Sequence, residues 1–395
     1  TVTVAGTGAT KQVDVMTIGA SDVNAFVGVG GPYFADSNAD GIIDASDTPR
    51  SDGAMGFVLR DLDFALALFK SADPAVDRSS YYAVKASGAA EVVGIAGLTI
   101  RADLLGVGIN GGNDTAGLAQ ALDLKNSPAF QAKGGVVVET GLDPDGAGPQ
   151  QAPSLTLDFT GNLLRAVGDV TLVIDDFVHV SGAFEFSRSA TPQTVVLSDG
   201  SSKSVRVLTI GGSNINAFVG TGNPDSNGDG MFDQNDDPAA NRAIGLSITD
   251  ISVGLALFKP VAAADSASYY AMMVSSASGA IGGNGVKLVG VPGVLLGASN
   301  LGVAVNGASA PNTGGATQTG PPPVINFKAA GSSFGAGGFS VGTGQGKPPI
   351  TIDLDTRTFR AFADIALGLD FNTDGSAEIT LSSFMSFEQS LRPNG

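Results

Sequence analysis

The sequence predicts an all-β chain built of two tandem homologous β-rich modules, each a sandwich or a flattened, solenoid-like roll, elongated and with minimal helix. Three observations carry that expectation. Glycine supplies 56 of 395 residues while Cys and Trp are absent. Apolar residues alternate with small or polar ones at a period of two, the spacing of a strand with one buried face. A long stretch of the chain also occurs twice.

The alternation is clearest where Phe64, Leu66 and Leu68 interleave with Ala65 and Ala67. It recurs where Val170, Leu172, Ile174, Val178 and Val180 interleave with Thr171, Val173, Asp175 and His179. Small residues on the second face of such strands imply that another layer approaches closely. One segment reads differently: GLAQALDLK at 117–125, preceded by Asp114 or Thr115 as a cap, is the clearest helix candidate. The Gly- and Pro-rich stretches 139–154 and 306–323 read as linkers.

The repeat sets the domain organisation. VMTIGASDVNAFVG at 15–28 returns as VLTIGGSNINAFVG at 207–220, LALFK at 66–70 returns at 255–259, and SYY at 80–82 returns at 268–270. TLDF at 156–159 matches TIDL at 351–354, and both copies open on an amphipathic hairpin, from Thr1 and from Thr194. Two modules are expected, 1–193 and 194–395. Residues 383–395 match the handover at 180–192, so the sequence stops where a third copy could begin, as a segment of a longer array would, and Thr1 reads as the start of a processed product or of an excerpt.

A formal net charge of -17 opposes binding to nucleic acid or to an anionic membrane surface and favours divalent cations. No apolar run is long enough to cross a bilayer, so no membrane insertion is expected. Without cysteine, a secreted chain would depend on packing or metal for stability.

One motif carries strong chemistry. In a twelve-residue EF-hand loop, oxygen ligands come from positions 1, 3, 5, 7, 9 and 12, and Gly at 6 permits the sharp turn. DSNADGIIDASD at 36–47 fills these positions with Asp36, Asn38, Asp40, the Ile42 carbonyl, Asp44 and Asp47, with Gly41 at the turn and Ile43 as apolar anchor. DSNGDGMFDQND at 225–236 repeats the set as Asp225, Asn227, Asp229, the Met231 carbonyl, Asp233 and Asp236, with Gly230 and Phe232. Calcium is therefore the expected ion at both loops. A weaker candidate, Asp370, Asn372, Asp374 and Glu378, has Leu381 at position 12 and reads as an acidic β-turn.

Other constellations point away from catalysis, and no enzyme is expected. His179 is the single histidine and has no counterpart in the second copy, which leaves no triad or zinc site. Asp158, Asp169 and Asp175 match Asp353, Asp364 and Asp370, but Asp158 and Asp169 alternate with apolar residues as outward strand positions do, with Arg165 nearby as a surface partner. GTGQGKPP at 342–349 lacks the helix and the Lys-Ser/Thr pair of a phosphate loop and reads as a turn. In the pairs Tyr81-Tyr82 and Tyr269-Tyr270, one ring of each should face the core and the other solvent.

The segment IGASDVNAFVGVGGPYFADSNADGIIDASDTP, the ALALFK and SYYA segments and their copies together resemble the tandem modules of very large secreted bacterial surface proteins of the adhesin-like class. The acidic loops by themselves resemble those of dockerins. The resemblance implies an extracellular location, an elongated calcium-stabilised architecture and no catalysis. The expected role is structural, as a stalk or as a self-assembling filament or surface layer, with other copies or neighbouring repeats as partners through end-to-end contact or strand pairing. Thr1 to Val4 and the edge near Phe384 to Leu391 are the candidate pairing strands. The alternative is a module that binds carbohydrate, such as surface glycans, or another surface.

Overall fold

Alternating segments become antiparallel strands in the computed structural model, which describes residues 1–395 except 42, 44–46, 48, 51–52, 143–151, 176, 190, 277–284, 310–319, 374 and 390–395. The strands are β1 (Val2–Val4), β2 (Thr10–Lys11), β3 (Val13–Val29), β4 (Met55–Ser71), β5 (Ser80–Val93), β6 (Leu98–Asn113), β7 (Leu122–Asp123), β8 (Val136–Glu139), β9 (Ser154–Leu157), β10 (Leu163–Ile174) and β11 (Val178–Ser189). They continue as β12 (Gln193–Val196), β13 (Ser202–Thr221), β14 (Ile244–Pro260), β15 (Ser268–Ser276), β16 (Val286–Val289), β17 (Val294–Ser309), β18 (Phe339–Val341), β19 (Ile350–Ile352), β20 (Thr358–Leu369) and β21 (Ile379–Gln389). Among the described residues, helical structure amounts to one 3-10 turn, Gln131–Lys133. The chain is all-β.

The chain forms two compact units. The first holds Thr1–Ala96, Arg101–Gly168 and Ser187–Thr191; the second holds Gly97–Ile100, Asp169–Phe186 and Pro192–Gly395. In the first, the main sheet runs β3-β4-β5-β6 and on to the 163–168 part of β10. In the second it runs β11-β13-β14-β15-β17-β20-β21, with β16 bridging β14 and β17.

A layer of short strands covers one face of each main sheet. In the first unit β1 lies between β2 and β7, and β8 pairs with β9. In the second, β12 folds back on β13, and β18 pairs with β19. The enclosed cores correspond closely, with Gly254 in the second standing where the first has Ala65. Val2, Val4, Ala65, Ala67, Phe69, Tyr81, Ala83, Leu122, Val138 and Leu157 form one; Val195, Leu197, Ala256, Phe258, Tyr269, Ala271, Ile325, Val341 and Ile352 belong to the other.

It is the small face of β4, Ala65 and Ala67, that is fully buried, because the covering strands pass directly over it. The closest approaches fall on glycine. A Cβ on Gly19 would lie 2.2 Å from the Glu139 carbonyl oxygen, and one on Gly211 would lie 2.0 Å from that of Gly342. No side chain fits there.

The repeated S-x-x-N-A-F motif builds a β-bulge. The ladder shifts between Ala20 and Ala25 in β3 and between Gly212 and Ala217 in β13. Asp22 and Asn214 take positive φ at these bulges, a conformation Asp and Asn tolerate. Asn24 Oδ1 then accepts the Asp61 N–H at 3.2 Å, as Asn216 Oδ1 accepts that of Asp250 at 3.0 Å.

The helix expected at 117–125 is absent. Leu122 and Leu124 instead face the core in turn, and Leu122 sits opposite Val4 in a strand pair. Nor is the strand at Thr1 to Val4 a free edge: β1 is hydrogen-bonded on both sides, and Val2 and Val4 are buried. Among the described residues no helix is long and apolar enough to cross a membrane.

Candidate metal centres

Both acidic loops follow the long first strand of a copy of the repeat, β3 or β13, and share several internal hydrogen bonds. In the 225–236 loop, Asp225 Oδ2 accepts the Gly230 N–H at 2.9 Å, and Gly230 adopts φ 86°. Asn227 Oδ1 accepts the Asp229 N–H at 2.9 Å, and Asp229 Oδ1 that of Met231 at 2.9 Å. Asp236 closes the loop: Oδ1 accepts the N–H groups of Ser226 and Asn227, and Oδ2 that of Asp233.

The described part of the 36–47 loop repeats the contacts made by positions 1, 3 and 12. Asp36 Oδ2 accepts the Gly41 N–H at 2.8 Å, Asn38 Oδ1 that of Asp40 at 2.9 Å, and Asp47 Oδ1 that of Ser37 at 2.6 Å. Gly41 adopts φ 87°. Ile42 and Asp44, expected ligands at positions 7 and 9, lie outside the described residues. Among the described residues, no three acidic or imidazole side chains already stand at metal-binding distance.

What holds each loop differs. Phe232 of the second loop is buried beneath β11 and β13: its ring packs edge-on against Phe218, which meets His179 in the same way, and Ser181 Oγ donates to the Phe232 carbonyl. His179 is thus a buried strand residue that supports the loop. In the first loop the equivalent anchor, Ile43, is exposed. Residues just before that loop substitute, with Tyr33 stacked on Phe26 and its hydroxyl 2.8 Å from Arg60, which forms a two-pronged ion pair with Glu91.

No family model, curated protein or solved structure matches this chain.

The remaining sequence candidates resolve into structural roles. Tyr81 and Tyr269 are buried, while Tyr82 and Tyr270 are exposed, as the strand alternation requires. Each exposed ring lies along a glycine of the neighbouring strand, Gly111 or Gly307. Asp158 pairs with Lys85 at 3.2 Å, and Asp364 accepts from Asn300 at 2.5 Å. The 342–349 segment is a turn closed by a hydrogen bond from Thr343 Oγ1 to the Pro348 carbonyl, and Gly342 abuts the Glu185 carboxylate. In the weaker 370–378 loop, Asp370 Oδ2 accepts the Gly375 N–H at 2.8 Å and Glu378 reaches back to the Phe371 N–H, while Asp374 lies outside the described residues.

Two duplicated pairs escaped the sequence reading. Lys11 meets Asp77 at 2.8 Å and lies over the Tyr81 ring, and Lys203 meets Asp265 at 2.5 Å within electrostatic reach of Tyr269. Hydrogen bonding to Lys11 holds the Asp77 carboxyl below its ordinary range, and Lys203 does the same for Asp265. Asn110 and Asn306 are buried, and each side-chain amide bridges two backbone carbonyls, Leu122 and Gly161 in one unit, Ile325 and Thr356 in the other. A match of GVGING at 106–111 to GVAVNG at 302–307 was the available signal.

Proposed function

We propose that the chain is a structural, calcium-stabilised repeat of an extracellular surface protein, acting in a stalk or a self-assembling filament or surface layer, and that it is not an enzyme. One observation supports this above the rest: two acidic loops in separate units share hydrogen bonds from position 6 to the carboxylate of position 1, from 5 to 3 and from 2 to 12. The donor set of each, several carboxylates, an amide oxygen and a backbone carbonyl, suits a hard cation such as calcium. Asp36, Asn38, Asp40, Ile42, Asp44 and Asp47 would hold one ion, and Asp225, Asn227, Asp229, Met231, Asp233 and Asp236 the other. Bound calcium neutralises carboxylates that would otherwise repel, and so ties each loop to its sheet.

Thermal unfolding with millimolar calcium and again with chelator tests the reading. Calcium should raise Tm, since a ligand that binds only the folded state stabilises it by mass action. An unchanged Tm overturns it.

A second reading, carbohydrate binding, draws on the exposed Tyr82 and Tyr270, one in each copy of the repeat. A glycan-array signal that Tyr82→Ala and Tyr270→Ala together abolish would favour it.

A further inference from the structure

The repeat provides an internal comparison between two strands of nearly the same sequence, one with a neighbour on its outer side and one without. β13 lies between β14 and β11. The Gly220 N–H donates to the Phe177 carbonyl at 3.0 Å, and Gly182 lies beside Ile215, which places β11 and β13 in one antiparallel register. β3, the equivalent of β13, has β4 on one side and no described strand on the other.

Exposure follows this difference. Val207 is 2 % exposed and its equivalent Val15 40 %; Val219 is 41 % exposed and its equivalent Val27 74 %. The loop anchors differ most, with Phe232 at 2 % and Ile43 at 50 %. What β3 lacks is the strand that β11 supplies to β13.

β21 is the strand that corresponds to β11, with Phe387-Glu388 repeating Phe184-Glu185. It pairs with β20 along its whole length and has no described strand on its other side. Every one of its residues is exposed, including Leu381 at 70 %, Phe384 at 61 % and Phe387 at 59 %. A long apolar edge of this kind is a template for another chain.

We propose that β21 of one copy of this chain adds to β3 of a second copy, in the register by which β11 joins β13, and covers the Ile43 side of the 36–47 loop. This inference rests on the structural-assembly reading and names its joint. The two surfaces differ, so the contact is head to tail, and repeated contacts extend the assembly until a rotation closes it.

The test uses the full chain at saturating calcium, by sedimentation velocity over a range of concentrations. Wild type should form species larger than a dimer. Leu381→Lys with Phe384→Lys blocks β21, and Val27→Lys with Val29→Lys blocks β3. All four side chains are already exposed, so circular dichroism and Tm should match wild type. Each blocked variant alone should remain monomeric, while their mixture should form dimers and stop there, because each has one competent edge. Monomeric wild type, self-association of a blocked variant like that of wild type, or a mixture that stays monomeric overturns the proposal. If head-to-tail association persists while calcium leaves Tm unchanged, the calcium reading fails and the joint stands; if calcium raises Tm and no association occurs, the joint fails alone.

Discussion

The Lys203 ammonium lies 2.5 Å from the Asp265 carboxylate, and the same contact recurs between Lys11 and Asp77. In each copy it joins the opening hairpin to the turn before the SYY strand. Asp77 and Asp265 have folded-state pKa values below the unfolded one, so each stabilises the fold above pH 3.8 and loses that contribution as pH falls through its own pKa. Asp265→Asn should therefore lower stability at pH 7 by at most about 1 kcal/mol, as for other partly exposed pairs. The gap from wild type should close below pH 3.8. Denaturant titrations at a series of pH values measure both.

Asn306→Ala should cost more. It removes both donors of a buried side chain and strands the buried carbonyl of Ile325, while that of the exposed Thr356 can turn to water. One buried unsatisfied group costs about 1–3 kcal/mol, and a loss of that size is expected in urea unfolding. Asn110→Ala should do the same in the other unit through Leu122 and Gly161.

Gly211→Ala should destabilise strongly even though only a methyl group is added. The new Cβ would meet a backbone oxygen, which cannot swing aside as a side chain can. Overpacking costs about 1–3 kcal/mol where neighbours relax, and here the covering strand itself must move. The Tm of Gly211→Ala, set beside that of Gly337→Ala with open space around its Cβ, isolates the effect.

The two loops should differ in their dependence on calcium. Burying Phe232 stabilises its loop by ~1.5–3 kcal/mol, and Ile43 contributes far less. Chelation followed by limited proteolysis should cut 36–47 before 225–236. Phe232→Ala should bring the two cleavage rates together.

Much of the fold was legible because strand periodicity and duplication reinforce each other. The alternation around Ala65 and Ala67, the hairpins from Thr1 and Thr194 and the division of each tyrosine pair could be read from local pattern. The 117–125 segment was not. Its apolar spacing fits a helix until Val4, more than a hundred residues earlier, supplies a strand partner for Leu122. The Lys–Asp pairs and the buried asparagines were hidden at shorter separations, because the tertiary fold and not a local period sets their partners. At the loops, the sharp turns at Gly41 and Gly230 were legible from the spacing, while the exposure of Ile43 against the burial of Phe232 depends on whether a further strand lies alongside.

The covering layer has a kinetic consequence. β1 closes on β7, and β12 is secured by the bridge from Leu197 to Ile325, so each core is sealed by segments brought together from far along the chain. The hairpins β3–β4 and β13–β14 join strands much nearer in sequence. Loop closure over the longer span is the slower event, so the hairpins should form early and the sealing strands dock last. Until they do, Phe69 and Phe258 remain open to water, and that interval is when a newly made chain is most at risk of aggregation.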